Sequence, residues 1–203
     1  MSNVKLAIVY YSSTGTNYKL AKWAEETAKA EGAEVRLVRA GELAPKAAIA
    51  SNPAWEAHYN ETKDTVKEAT SEDLEWADAI IFSTATRFGG MASQMKQFLD
   101  TQGGLWAKGA LVNKVVSAMS SAQNDHGGQE ASILSLYTSL MHWGAIIVPP
   151  GYADPVLFTT GGNPYGTSVT VDAEGNMSPD VQPAVEVQTK RTLDIAARIK
   201  AGN

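Results

Sequence analysis

Short apolar, β-branched runs alternate along this chain with amphipathic helical patterns, and few folds accommodate that rhythm. Strands that take turns with helices assemble into a parallel sheet whose crossovers cover its faces. Predicted strands run from Lys5 to Tyr11, Glu34 to Arg39, Ala79 to Ser83 and Val115 to Met119. A short fifth, Ala145 to Val148, stops at Pro149-Pro150 because proline cannot donate to the ladder. The first crossover, Asn17 to Ala30, carries Leu20, Ala24 and Ala28 at helical spacing, and Gly32 follows as its cap. Ser71 is placed to cap a short helix through Leu74 and Trp76, and Met91 to Thr101 puts Met95, Phe98 and Leu99 on one face. Gln129 to Trp143 is the clearest helix, with Ile133, Leu136, Tyr137, Leu140 and Met141 at i, i+3, i+4, i+7 and i+8. Leu193, Ala196 and Ala197 mark a closing helix over the sheet.

Two stretches break the rhythm and read as long loops, at about residues 41–70 and 149–183. Loops beyond ~15 residues in a compact domain are usually functional or disordered. Trp55, Tyr59, Phe158 and Tyr165 within them suit packing, either over the sheet edges or against another subunit.

A length of 203 residues, 44% hydrophobic and 19% charged, suits one compact domain over residues 1–203. Cysteine is absent, which excludes disulfides, thiolate nucleophiles and cysteine-ligated metals together. Redox chemistry would therefore need a bound cofactor. The 3 histidines have no HExxH-like spacing, so no metal site is expected. A net charge of -5 without a dense Lys/Arg run argues against direct nucleic-acid binding. The apolar run that follows Met1-Ser2-Asn3-Val4-Lys5 is cut off at Ser12, too early for a signal peptide, and no stretch approaches the ~20 apolar residues of a membrane helix. A soluble cytoplasmic protein acting on small molecules is the expectation.

The most informative local feature is where the first strand ends. Ser12, Ser13, Thr14, Gly15, Thr16 and Asn17 form a small polar turn that opens directly into a helix. Backbone N–H groups point outward at such a place and the helix dipole favours an anion, so the turn suits a phosphate held by neutral donors. Neither a Walker A lysine nor a GxGxxG dinucleotide fingerprint is present. The competing reading is a Ser/Thr turn that only caps the helix.

Three further stretches sharpen the reading: Ala79-Ile80-Ile81-Phe82-Ser83-Thr84-Ala85-Thr86-Arg87-Phe88-Gly89-Gly90-Met91, Phe98-Leu99-Asp100-Thr101-Gln102-Gly103-Gly104-Leu105-Trp106, and Gly127-Gly128-Gln129-Glu130. With Pro150-Gly151-Tyr152 they cover most of the chain in order, and the chain resembles the WrbA-type quinone reductases of the flavodoxin-like FMN proteins. That resemblance implies an α/β three-layer sandwich around a doubly wound, five-stranded parallel sheet of order 2-1-3-4-5. It also implies FMN-dependent oxidation of NADH or NADPH with two-electron reduction of quinones, in a homotetramer. Carried over, the phosphate and ribityl contacts fall on Ser12 through Asn17, and the ring contacts on Thr84, Thr86, Arg87, Phe88 and Gly89. A second ring-side loop takes in Ser121, Ala122, Gln123, Asn124 and Gly127, with His142 close to the flavin. Trp106 matches the substrate-stacking tryptophan, so Trp106 and His142 are the catalytic candidates and Thr14, Phe88 and Trp106 the substrate-binding ones.

Three positions depart from the family pattern. Thr14 stands where tyrosine is common, Ala85 where proline is usual, and Ser121 to His126 replaces a more glycine-rich loop. The last change brings Asp125 and His126 toward the ring. Three other readings share the fold or the family name: a one-electron flavodoxin-type carrier, a protein-binding partner of a transcriptional repressor, and a related flavin or azo-compound reductase.

Overall fold

A computed structural model describes residues 4–202. Met1, Ser2 and Asn3, from the N-terminal segment read above, lie outside them. The first half of the chain runs β1 (Lys5–Tyr11), α1 (Thr16–Ala30), β2 (Glu34–Arg39), α2 (Lys46–Ala50), α3 (Pro53–Thr62), α4 (Ser71–Trp76), β3 (Ala79–Arg87) and β4 (Gly90–Met91). The second half runs α5 (Ser93–Asp100), α6 (Gly103–Ala107), β5 (Val115–Ala122), α7 (Gln129–Met141), β6 (Ile146–Ile147), a 3-10 turn (Pro155–Thr159), β7 (Ser168–Val171), β8 (Met177–Ser178) and α8 (Gln182–Ala201).

The sheet is ordered β2-β1-β3-β5-β7-β8, with β4 beside β3 and β6 beside β5. Its spine is parallel, and Ile8 of β1 pairs with Leu37 of β2 on one side and Ile81 of β3 on the other. Because successive side chains leave a strand on opposite faces, β1 feeds two cores. Leu6, Ile8 and Tyr10 pack toward α1 and α8 with Leu20, Ala24, Val185 and Leu193. Ala7, Val9 and Tyr11 pack on the other face with Leu74, Met95, Phe98, Leu105, Leu136 and Leu140, from α4, α5, α6 and α7.

Several expectations need correction. The segments 41–70 and 149–183 are not structureless: the first holds α2 and α3, the second a 3-10 turn, β7 and β8. Thr70, not Ser71, caps α4, in a reciprocal box with Asp73. On α7 the apolar stripe from Ile133 to Leu140 is buried, but Met141 is exposed.

The fifth position of the sheet is divided. β6 pairs with the start of β5 at Val115 and Val116, and after Pro149-Pro150 the chain leaves the sheet. It returns as β7, which pairs with Ser120, Ser121 and Ala122 at the far end of β5. The gap falls at Ala118, and buried backbone groups need partners there. The Tyr137 hydroxyl accepts from Ala118 N–H at 3.1 Å, and Gln188 Nε2 donates to the Ala118 carbonyl at 2.9 Å. Gln188 Oε1 accepts in turn from Thr167 N–H at 2.7 Å and Thr167 Oγ1 at 2.8 Å. Gln188→Leu strands these groups in the core, at roughly 1–3 kcal/mol each. With about 2–4 °C lost per kcal/mol in a chain of this size, thermal melting should fall by on the order of 10 °C. A melt within about 2 °C of the native protein would mean that other groups close the gap.

Candidate functional site

In a sheet of this kind ligands bind beyond the carboxyl ends of the strands, where the strand order reverses. That place is the edge above β1 and β3, and most of the residues singled out in the sequence meet there. Gly15 is the N-cap of α1, with φ +97°, a backbone state that side chains rarely adopt. Ser12 Oγ accepts from Gly15 N–H at 3.0 Å and from Asn17 N–H at 3.2 Å, so this serine caps the helix. The N–H groups of Ser13, Thr14 and Thr16 have no acceptor among the described residues. Capping thus uses the N–H groups of Gly15 and Asn17 and leaves those of Ser13, Thr14 and Thr16 available to an anion.

Asn17 has a different place from its neighbours. It is buried, its Nδ2 donates to Ser121 Oγ at 2.7 Å, and Ser83 Oγ donates to its Oδ1 at 3.1 Å. It braces the start of α1 against β3 and β5. Ser121 and Thr84 are buried as well, Thr84 Oγ1 accepting from Ala92 N–H at 3.3 Å. These residues fix the floor of the site.

The loop after β3 is tied to both of its neighbours. Arg87 Nη2 donates to Ser13 Oγ at 3.1 Å, setting a guanidinium on the rim of the first loop. Thr86 Oγ1 donates to the Gly127 carbonyl at 3.1 Å and accepts from Ser132 Oγ at 2.8 Å. Phe88 is fully exposed at a φ of +50°, an orientation unusual for an aromatic residue. Gly128 passes so close to Gly89 that a Cβ there would lie 2.6 Å from Gly89 Cα. The loop after β5 is polar and open, with Ala122 buried and Gln123, Asn124, Asp125 and His126 exposed. Asp125 accepts from Thr170 Oγ1 at 2.8 Å, which anchors that loop to β7. Among the described residues no group of three or more His, Cys, Asp or Glu converges on a possible metal position.

Two residues that the sequence did not single out complete the wall beside the first loop. The Glu42 carboxylate accepts from Tyr11 Oη at 3.1 Å, Trp55 Nε1 at 3.2 Å, Gln94 Nε2 at 2.7 Å, Leu43 N–H at 2.8 Å and Ala44 N–H at 2.9 Å. Burial, and then this facing carboxylate, hold the Tyr11 phenol neutral well above its usual range. His58 of α3 is buried against Gly15, with its Nδ1 3.6 Å from where a Gly15 Cβ would lie.

Trp106 and His142 are together, but elsewhere. Trp106 Nε1 donates to the His142 carbonyl at 3.0 Å, and both residues are exposed. His142 ends α7, and the next turn meets the start of β5, where Asn113 N–H donates to the Gly144 carbonyl. The 13 residues of α7 span about 20 Å at 1.5 Å per residue. Within one chain the pair therefore lies at the amino edge of the sheet, a helix length from Gly127 and Phe88.

Residues 4–155 match the model of the NADPH-dependent FMN reductase family. The chain belongs to that family. It is 52% identical over 196 residues to a protein of Deinococcus radiodurans named NAD(P)H dehydrogenase (quinone), covering 97% of each chain. A Brucella anthropi protein of the same name is 43% identical over 207 residues, with 98% of this chain and 100% of the relative covered. Among solved structures, the flavodoxin, WrbA-like protein from Agrobacterium tumefaciens superposes with a TM-score of 0.66 at 20% identity, over 97% of this chain and 99% of that one. Oxidised flavodoxin 2 from Bacillus cereus gives 0.56 at 16% identity, over 96% and 99%. The fold is flavodoxin-like. For a member of the FMN reductase family the site is well matched to the cofactor: unspent backbone donors at 13, 14 and 16 suit a terminal phosphate, and the meeting of Gly89 with Gly128 keeps the ring-side loops close.

Proposed function

We propose that the chain is an FMN-dependent NAD(P)H:quinone oxidoreductase, a single-domain protomer of a cytoplasmic homotetramer whose partners are small quinones rather than nucleic acid or membrane. No helix among the described residues is long and apolar enough to cross a membrane. The observation that carries the reading is the meeting of three cross-tied loops at the carboxyl edge of the sheet, in a chain 52% identical to a relative named for this reaction. FMN bound there would supply the two-electron redox chemistry that links NADH or NADPH to a quinone.

The protein's own part is to bind, orient and exclude. Ser13, Thr14 and Thr16 hold the phosphate through their free N–H groups, with Gly15 giving close approach and Ser12 and Asn17 fixing the turn from below. Thr86, Arg87, Phe88 and Gly89 frame the ring from one side, and Gln123, Asn124 and Gly127 from the other, over a floor of Thr84, Ser121 and Ala122. Thr14 and Phe88 border the open face where nicotinamide and quinone enter. The hydride steps require no side-chain acid or base.

Trp106 and His142 join this site only if another copy supplies them, since their own chain keeps them a helix length away. Two exposed aromatic features support such an assembly: Phe88 is bare, and Tyr152 stacks on Phe158 with centroids 4.9 Å apart. In the assembly the indole, fixed by its bond to the His142 carbonyl, would form a wall for flat molecules at the site of a neighbouring copy. Trp106→Ala should keep FMN but bind nicotinamide and quinone up to about tenfold more weakly, since stacked rings contribute about 0.5–1.5 kcal/mol beyond buried area. Stopped-flow flavin reduction and reoxidation measure this, and FMN loss with normal rates per bound flavin would make Trp106 structural. Sedimentation at micromolar protein with FMN saturating should give the tetramer, and monomer alone would overturn the assembly.

A further inference from the structure

Beside the first loop, lined by Ser12, Tyr10 and His58, lies a small space of about 20 Å³, room for about one water. His58, Tyr10 and Thr62 line it, and the imidazole has no hydrogen-bond partner among the described residues. His58 is 7% exposed, its ring 5.4 Å from that of Tyr18 and directly behind Gly15. It stands against the turn proposed to seat the phosphate, and it arrives there on α3.

We propose that His58 is a positioning residue for the cofactor phosphate, one that takes up a proton when the dianion settles in front of Gly15 and thereby ties the affinity for FMN to pH. The inference rests on the assignment of the phosphate to residues 12–17. In the free protein burial depresses the histidine's proton affinity, with Glu61 of its own helix acting the other way. The other ionisable neighbours are Tyr10, Tyr18 and Tyr59, Arg39, and Glu42. Arg39 is engaged by Glu68 at 3.0 Å, and Glu42 by its donors from Tyr11, Trp55 and Gln94. Neither therefore acts as a free counter-charge. A phosphate on the far side of Gly15 is then the uncompensated charge nearest the ring, and an opposite charge at short range favours the protonated imidazole.

The sign follows from linkage. A group whose proton affinity is higher in the complex than in the free protein strengthens binding as pH falls. The gain is complete below the free protein's value, which burial holds under the ordinary histidine range, and is lost as pH rises through the value in the complex. The phosphate of FMN titrates near pH 6 as well, but that contribution is common to every variant and cancels in a ratio.

The test is the dissociation constant of FMN, read by flavin fluorescence quenching between pH 5.5 and 8.5, for the native protein, His58→Gln and His58→Phe, with riboflavin as the ligand lacking phosphate. Native protein should gain up to about tenfold over both variants on going from pH 8.5 to 5.5 with FMN, a shift of about one pKa unit, and nothing with riboflavin. His58→Phe keeps a ring against Tyr18 and Gly15, so its loss of the pH-dependent gain isolates the proton from the packing. Parallel profiles in all three proteins would overturn the role of His58. Riboflavin bound as tightly as FMN at every pH would instead remove the phosphate from this loop. Should the variants fail to fold, NMR titration of the native protein decides, with His126→Gln and His142→Gln assigning the His58 signal by elimination. A pKa raised by FMN and not by riboflavin supports the proposal, and one that FMN leaves unmoved contradicts it.

Discussion

Thr16→Glu should empty the protein of FMN while leaving it folded. Thr16 opens α1, and the N–H groups of Ser13, Thr14 and Thr16 beside it are unspent. A carboxylate placed there occupies the donors that a phosphate would use and faces the dianion with like charge. Like charges about 4 Å apart at an effective dielectric constant near 20 cost on the order of 4 kcal/mol. Solvent and salt reduce that cost, and a hundredfold or greater loss of affinity is the expected result, at 1.4 kcal/mol per tenfold. The helix itself gains, because an acid in the first turn complements the dipole. Melting of the flavin-free variant should therefore equal or exceed that of flavin-free native protein. Fluorescence titration and a thermal melt read the two effects separately, and an unchanged dissociation constant would take the phosphate off this loop.

Gly128→Ala should damage the ring side of the site. Gly128 has a φ of +88°, which an alanine adopts only under strain, and the added Cβ would meet Gly89 Cα at 2.6 Å. Both partners are backbone, so neither can swing aside, and the loops after β3 and β5 must separate. Overpacking of this kind costs roughly 1–3 kcal/mol and the left-handed backbone about 1–2 kcal/mol more. A melting point lower by about 5–15 °C is expected, together with a tenfold or greater loss of FMN and of riboflavin alike. Equal loss for both ligands is the signature, since the phosphate seat is untouched. A variant that binds riboflavin normally would mean that the Gly89–Gly128 contact does not shape the ring site.

The parts of the site legible in the sequence were those that local chemistry dictates. Ser12 to Asn17 follows a clean apolar strand and opens a helix, so its place at the carboxyl edge of the sheet could be read directly. The division of labour inside it could not. That Asn17 braces Ser83 and Ser121 from below depends on contacts reaching more than 60 residues along the chain, and that Ser12 caps Gly15 and Asn17 while the backbone at 13, 14 and 16 is left free depends on the three-dimensional shape of the turn itself. Trp106 and His142 were recognised through the family motif, but a motif carries no address: the course of α7 sets them at the opposite edge. The segment at residues 41–70 holds a signal that periodicity misses. Asn52-Pro53 is a helix start, the asparagine accepting from Ala54 and Trp55 and the proline filling the first turn, and it brings His58 against Gly15. The divided fifth strand was hidden for another reason. Pro149-Pro150 signals where β6 stops, but nothing local says that Gln188 and Tyr137 will satisfy Ala118 across the gap.

The central claim, two-electron transfer from a nicotinamide to a quinone through FMN bound at the carboxyl edge of the sheet, is tested most directly by one anaerobic experiment on purified, FMN-saturated protein. NADH or NADPH is added and flavin absorbance near 450 nm is followed; benzoquinone is then added in a single equivalent per flavin. The account predicts full bleaching in one phase, then full recovery of the oxidised spectrum by that one equivalent. Flavin left oxidised by both nucleotides, or a reduced protein that returns only part of its colour to one equivalent of quinone, would contradict it.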